Sequence, residues 1–236
     1  MRVLGVDLAS ATWADNGSAM IEFGSGAFVS VTTPAIPWPT GALTPTALAT
    51  AIHEFCARHD VSAVALDGPQ GWRDPHTPTT EPGVGRRCEW VCKTQGKTGV
   101  HPRTYPSTQR GWIEFSIGVF DELLLSHGAR LFDGKRRHSL QLMECFPTST
   151  WRASGLKPLP GKGKKPVLAP FVSALRRAYR LPRFTVRSHD DLQAVVAALC
   201  AAGAVGGPCR AVAHGVPAAA VDGHRVEGFI WEARPQ

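Results

Sequence analysis

The hydrophobic positions of the chain gather into short runs separated by turn-forming residues, and the spacing within each run assigns it to strand or helix. Val3-Leu4-Gly5-Val6 is a short apolar run ending in Asp7. Ala19-Met20-Ile21-Glu22-Phe23 and Ala27-Phe28-Val29-Ser30-Val31 follow, joined by Gly24-Ser25-Gly26. Connections this short predict an antiparallel meander of three strands. Residues 34–43, rich in Pro and Gly, predict a loop. Thr44-Pro45 then opens a helix through about Ala57, with Thr44 suited to the N-cap and Pro45 to the first helical position. Val61 to Leu66 reads as a buried strand ending in Asp67-Gly68-Pro69.

Residues 68–110 lose this periodicity and predict an irregular basic insertion, with a short helix around Arg86–Cys92. Trp112 to Leu125 has helical spacing, and Ser139 to Phe146 reads as a strand stopped by Pro147. A basic loop and helix segment, about 147–188, holds a helix over Val167–Tyr179. A small-residue helix runs from Leu192 to about Ala202, with Gly203 suited to end it. Ala218–Val221 and Val226–Ile230, around Asp222-Gly223, predict a terminal hairpin. The main elements run β-β-β-α-β-α-β-α, an α/β class in one domain. This order sets the first and fourth strands side by side in a mixed sheet, with the last helix across them.

The 236 residues are 43% hydrophobic and 19% charged, enough apolar material for a packed core and against disorder. The N-terminus has too few apolar residues before Asp7 for a signal peptide. The apolar stretch Ala194–Val205 is too short to span a membrane. A cytoplasmic protein without membrane contact is expected, its Cys56, Cys88, Cys92, Cys145, Cys200 and Cys209 as free thiols. Cys88 and Cys92 form neither a redox pair nor half of a matched zinc motif. The formal net charge of +7 is unevenly spread: residues 73–187 hold 21 basic and 8 acidic side chains, leaving 5 basic and 11 acidic for the two ends.

Three acidic positions stand where such a sheet would gather them. Asp7 and Asp67 end strands, and Asp190 and Asp191 open the last helix. Packed together they repel unless a cation neutralises them. Hard carboxylate oxygens suit Mg²⁺ or Mn²⁺. Such ions could support attack of water on a phosphodiester. Other readings stay open: Asp67 before Gly-Pro fits a turn, and Asp190 and Asp191 fit a helix N-terminus. Arg86, Arg87, Lys162, Lys164 and Lys165 are candidate contacts to a nucleic-acid backbone, with Trp90, Tyr105, Trp112 and Trp151 as candidate stacking platforms. The alternative is a solvated basic surface with the tryptophans in the core.

The order of elements and Val6-Asp7-Leu8-Ala9-Ser10 resemble the ribonuclease H-like superfamily. Further motifs are Leu4-Gly5-Val6-Asp7, Ala65-Leu66-Asp67-Gly68-Pro69, Arg86-Arg87-Cys88-Glu89, Met143-Glu144-Cys145-Phe146-Pro147, His189-Asp190-Asp191-Leu192-Gln193-Ala194 and Glu227-Gly228-Phe229-Ile230. Together they resemble a bacterial family of predicted nucleases, domain of unknown function 429. The resemblance implies a ribonuclease H-like mixed sheet, a divalent metal and a nucleic-acid partner. It implies Asp7, Asp67 and Asp190 as metal-binding carboxylates, with Glu144 and Asp191 as further catalytic acids and Glu89 in reserve. Where the family has an Asp before the Ala of its last helix, this chain has Gln193, which could coordinate through its carbonyl but brings no charge. Glu144 and Glu89 could instead pair with arginines.

Gln95-Gly96-Lys97-Thr98 resembles the end of a phosphate-binding loop, but Val91 stands where its first glycine belongs, which excludes a P-loop. No Gly-x-Ser-x-Gly elbow or metalloprotease histidine spacing occurs. The leading expectation is a metal-dependent nuclease. The alternatives are an inactive nucleic-acid- or protein-binding module of the same fold and a nucleotide-binding phosphotransferase relative.

Overall fold

A computed structural model describes residues 1–77 and 84–236, so residues 78–83 of the expected insertion lie outside the described residues. Strands β1 (Arg2–Asp7), β2 (Gly17–Gly24) and β3 (Ala27–Thr32) form the antiparallel meander. Helix α1 (Pro45–His59) starts at its sequence signal: Thr44 Oγ1 accepts a bond from Ala47 N at 3.1 Å, and Pro45 sits in the first turn. Strand β4 (Val61–Asp67) then pairs in parallel with β1.

The insertion is more ordered than its composition predicts. It contains α2 (Arg87–Cys92) and two short paired strands, β5 (Lys97–Thr98) and β6 (Thr104–Tyr105). Next come α3 (Arg110–Leu125), β7 (Arg130–Leu131), β8 (Gln141–Cys145) and α4 (Pro147–Ala153). Pro147 thus starts a helix as well as stopping a strand, the position where its missing N–H costs nothing. Helices α5 (Ala169–Tyr179) and α6 (His189–Ala204) precede β9 (Arg210–Val221) and β10 (His224–Arg234).

Among the described residues the main sheet runs β3-β2-β1-β4-β8-β10-β9, with β7 also paired to β8. β1, β4, β8 and β10 pair in parallel, one with the next. The terminal hairpin is far longer than Ala218–Val221 and Val226–Ile230, and β10 extends the central sheet instead of standing apart. Its first strand, RAVAHGVPAAAV, is made of small residues and is largely half-buried or exposed, so it lacks the periodic bulk that marks a strand.

The pleat divides the central strands between two helical layers. Val3, Ala63, Ala65, Met143 and Cys145 join the core beneath α6, while Leu4, Val6, Val64, Leu66 and Leu142 join the core beneath α1 and α3. Helix α6 lies unusually close to the sheet. A Cβ on Gly5 would fall 2.1 Å from Ala194 O and 2.2 Å from Ala198 N, and one on Gly17 would fall 2.1 Å from Asp190 O. Those obstacles are backbone and cannot rotate away, so the glycines and the alanines of α6 set the approach distance together.

Gly5→Ala should therefore lower the unfolding free energy by about 3 kcal/mol or more through overpacking. Gly24→Ala, whose Cβ would meet nothing within 4 Å, is the control, with an expected change within about 0.5 kcal/mol. Urea unfolding of the two variants measures both.

Candidate metal centre

The parallel register places Asp7 directly beside Asp67 at the carboxyl ends of β1 and β4. Residues paired in this way project to the same face, here the face covered by α6. Both aspartates are half-buried and stand side by side at the strand ends. Burial, followed by the charges of Asp67 and Asp190, pushes the Asp7 carboxyl well above its ordinary value. Burial also pushes Asp67 up, to about 7.

Helix α6 brings the third acid. Ser188 caps it, its Oγ accepting from Asp191 N at 3.0 Å, and Asp190 falls in the first turn. Gly17, the register partner of Asp7, lies under the Asp190 carbonyl, so the close approach of α6 delivers Asp190 to the strand ends. One oxygen each from Asp7 and Asp190 and one ring nitrogen of His189 all lie within 4.8 Å of one another, a spacing that could hold a metal ion. His189 Nδ1 is 3.1 Å from Asp190 Oδ1, and its Nε2 is 3.1 Å from Pro160 O. Both partners are acceptors, so both bonds form together only when each ring nitrogen carries a hydrogen.

A cation from the protein already reaches this cluster. Lys162, on a single 3₁₀ turn spanning Lys162–Lys164, places Nζ 2.5 Å from Asp190 Oδ2 and 2.7 Å from Asp15 Oδ1. Burial works against ionisation of Asp190, but the bonds from His189 and Lys162 outweigh it and hold this carboxylate below its ordinary value. The Lys162 side chain is 54% exposed, so it can leave without disturbing the core.

Glu144 takes no part in this cluster. Its register partner is Leu66, one residue before Asp67, so it projects to the opposite face of the sheet. There it receives a two-pronged bond from Arg86, whose Nη1 and Nη2 lie 2.7 and 2.6 Å from its two oxygens. Arg86 is fully buried and also donates to Glu89, 3.0 Å from Nη2 and 3.1 Å from Nε, and to Thr98 Oγ1 at 3.0 Å. This corrects two expectations. Arg86 is not at a nucleic-acid surface, and Glu144, like Glu89, serves as its counter-charge. Removing one partner of such a buried pair would strand the other charge, at about 3–5 kcal/mol.

The remaining candidates scatter. Gln193 Oε1 accepts a bond from Trp151 Nε1 at 2.9 Å, which removes both from their expected roles: Gln193 is engaged in the core and Trp151 is fully buried. Asp191 is buried beside the helix cap. Arg87, Lys164 and Lys165 are exposed, as are Trp90 and Tyr105, while Trp112 is half-buried. His189 and Asp15 were missed as site residues. The signal for His189 was its place immediately before Asp190 at a helix start; Asp15 offered none.

Beside Asp67 a cleft of about 160 Å³ opens between the two faces, lined by Gly68, Gln109, Trp112, Glu144 and Phe146 among others. No helix among the described residues is long and apolar enough to cross a membrane. No protein-family model and no curated protein matches the chain. Among solved structures it is similar to Thermus thermophilus RuvC, at 13% identity over 84% of this chain and 91% of that chain, with a TM-score of 0.38. A likeness of this degree assigns no residue a role.

The raised carboxyls fix a sign for stability. Between the ordinary Asp value of about 4 and the elevated folded value, the folded protein holds a proton that the unfolded chain has released, so stability falls as pH rises. With EDTA present, Tm should drop on the order of 5 °C between pH 5 and pH 7.5, a window that contains the Asp67 value of about 7. Asp7→Asn should flatten this slope and raise Tm at pH 7.5, as scanning calorimetry would show.

Proposed function

We propose that the chain is a divalent-metal-dependent nuclease in which Asp7, Asp67 and Asp190 hold Mg²⁺ or Mn²⁺ and exposed basic residues hold the nucleic-acid backbone. The observation that carries this reading is the Asp7–Asp67 pair: two carboxyl groups forced together by strand register, unable to ionise together without a cation. A structural role would not require this arrangement, because two desolvated acids side by side cost stability. The strand order and the acids at the ends of β1, β4 and the last helix also fit the ribonuclease H-like fold that the sequence motifs resemble.

The donor set suits the ion. Asp7, Asp67 and Asp190 offer hard oxygen ligands, and His189 orients Asp190 through its Nδ1 bond. A bound divalent ion would supply Lewis acidity and a more acidic water for attack on a phosphodiester. Lys162 neutralises Asp190 at rest and, once displaced, lies where its ammonium can meet a backbone phosphate. Lys164 and Lys165 continue that positive edge from the same turn, and Arg87 adds an exposed charge on α2. Trp90 and Tyr105, each 38% exposed, are available for stacking on unpaired bases.

One observation favours a second reading. The Lys162–Asp190 contact at 2.5 Å is what a protein-borne substitute for the metal would look like, and it would suit an inactive binding module. The two readings separate in one assay. Purified protein should cleave single- or double-stranded DNA or RNA in Mn²⁺, and Asp7→Asn should lower the rate by at least about 100-fold. Cleavage that survives Asp7→Asn contradicts the nuclease assignment. Wild-type protein that binds nucleic acid in a salt-sensitive way without cleaving it establishes the second reading.

A further inference from the structure

A second set of metal-ligating side chains meets on the far side of the molecule's central strands. His214 on β9 and Glu232 on β10 project from the same face of the terminal hairpin: Ile230 is the register partner of His214, and Glu232 lies two residues beyond it. His214 Nε2 and Glu232 Oε2 are 2.8 Å apart. Cys92, the last residue of α2, completes the group, and its sulfur lies within 4.8 Å of both the imidazole and the carboxylate. Cys92 is 1% exposed, and the His214 and Glu232 side chains are 17% and 9% exposed, so the group is enclosed by protein except on the histidine side.

We propose that Cys92, His214 and Glu232 form a metal site for a borderline cation of the Zn²⁺ type, separate from the carboxylate cluster of Asp7 and Asp190. The three donors are a thiolate, an imidazole and a carboxylate, the set that zinc accepts and that Mg²⁺ and Ca²⁺ do not. The hairpin register brings His214 and Glu232 together, and Cys92 reaches them from α2, which is distant in sequence, so tertiary packing alone adds the thiol. Tetrahedral zinc separates nitrogen and oxygen ligands by about 3.4 Å, so binding would open the His214–Glu232 hydrogen bond by about 0.6 Å. A rotation of the two side chains supplies that. A water entering past the His214 side chain, which is 17% exposed, would complete the four-coordinate set.

Binding would replace the Cys92 sulfur–hydrogen bond with a sulfur–metal bond and release that proton to solvent, while the hydrogen that His214 Nε2 shares with Glu232 would pass to Nδ1 and free Nε2 for the ion. Burial, followed by the charge of Glu232, holds the free thiol well above its ordinary value, so without a cation Cys92 stays protonated. The bound ion would tie α2 to the terminal hairpin. Helix α2 also carries Glu89, and Arg86 sits at its cap, so this clasp would brace the buried ion pairs behind the cleft.

Co²⁺ titration of the full chain tests the site, because cobalt bound to a thiolate gives a sulfur-to-metal charge-transfer absorption and tetrahedral ligand-field bands. Wild type and Asp7→Asn should both develop these bands at one equivalent, and Zn²⁺ should bleach them. Cys92→Ser should lose the charge-transfer band. All six cysteines are free, so the band must be assigned by mutation. Should Cys92→Ser not fold, His214→Gln and Glu232→Gln provide the second measurement, each expected to weaken Co²⁺ binding at least tenfold. Absence of the band in wild type, its persistence in folded Cys92→Ser, or unchanged affinity in both other variants would overturn the proposal.

Discussion

Two carboxyl groups held side by side at the ends of adjacent parallel strands govern the rest of this structure. The register Asp7↔Asp67 follows from the apolar runs that precede them, because a one-residue slip would push Leu4, Val6, Val64 or Leu66 into the layer under α6, where Gly5, Ala63 and Ala65 leave little room. Once the register is set, the acids cannot avoid one another. The protein then manages their charge by holding the Asp7 carboxyl well above its ordinary value and by setting the Lys162 ammonium on Asp190. Glycines at 5 and 17 admit the backbone of α6 at a distance that side chains would forbid, and that approach brings Asp190 within reach.

The basic middle of the chain does two jobs that its average charge conceals. Part of it is neutralised by acids: Arg86 is fully buried between Glu89 and Glu144, and the half-exposed Lys162 is paired with Asp15 and Asp190. What remains at the surface, including Arg87, Lys164 and Lys165, is a smaller positive edge than the sequence count implies. The negative centre is likewise smaller, because Glu144 is neutralised on the opposite face.

The helices, the central strands and the pair Asp7 and Asp67 were legible because each rests on local signals: apolar periodicity, caps and strand ends. Glu144 was misplaced for a reason the sequence contained. In Met143-Glu144-Cys145 the alternation of a strand sends Glu144 to the side of Leu142 and Leu66, away from the face that Asp67 shares with Cys145. Arg86 could not be read in this way, because its burial depends on partners at positions 89, 98 and 144 that only the folded insertion brings together. The long hairpin was hidden by small residues, and Gln193 was hidden by Trp151, a bond between helices with no trace in spacing.

The central claim is that a divalent cation takes the place of Lys162 and neutralises Asp7, Asp67 and Asp190 together. Anomalous diffraction from crystals grown with Mn²⁺ tests this directly. The account predicts a manganese peak bonded to oxygens of Asp7, Asp67 and Asp190, with the Lys162 ammonium moved off Asp190. Crystals in which Lys162 still holds Asp190 and no manganese lies between the strand ends would contradict it.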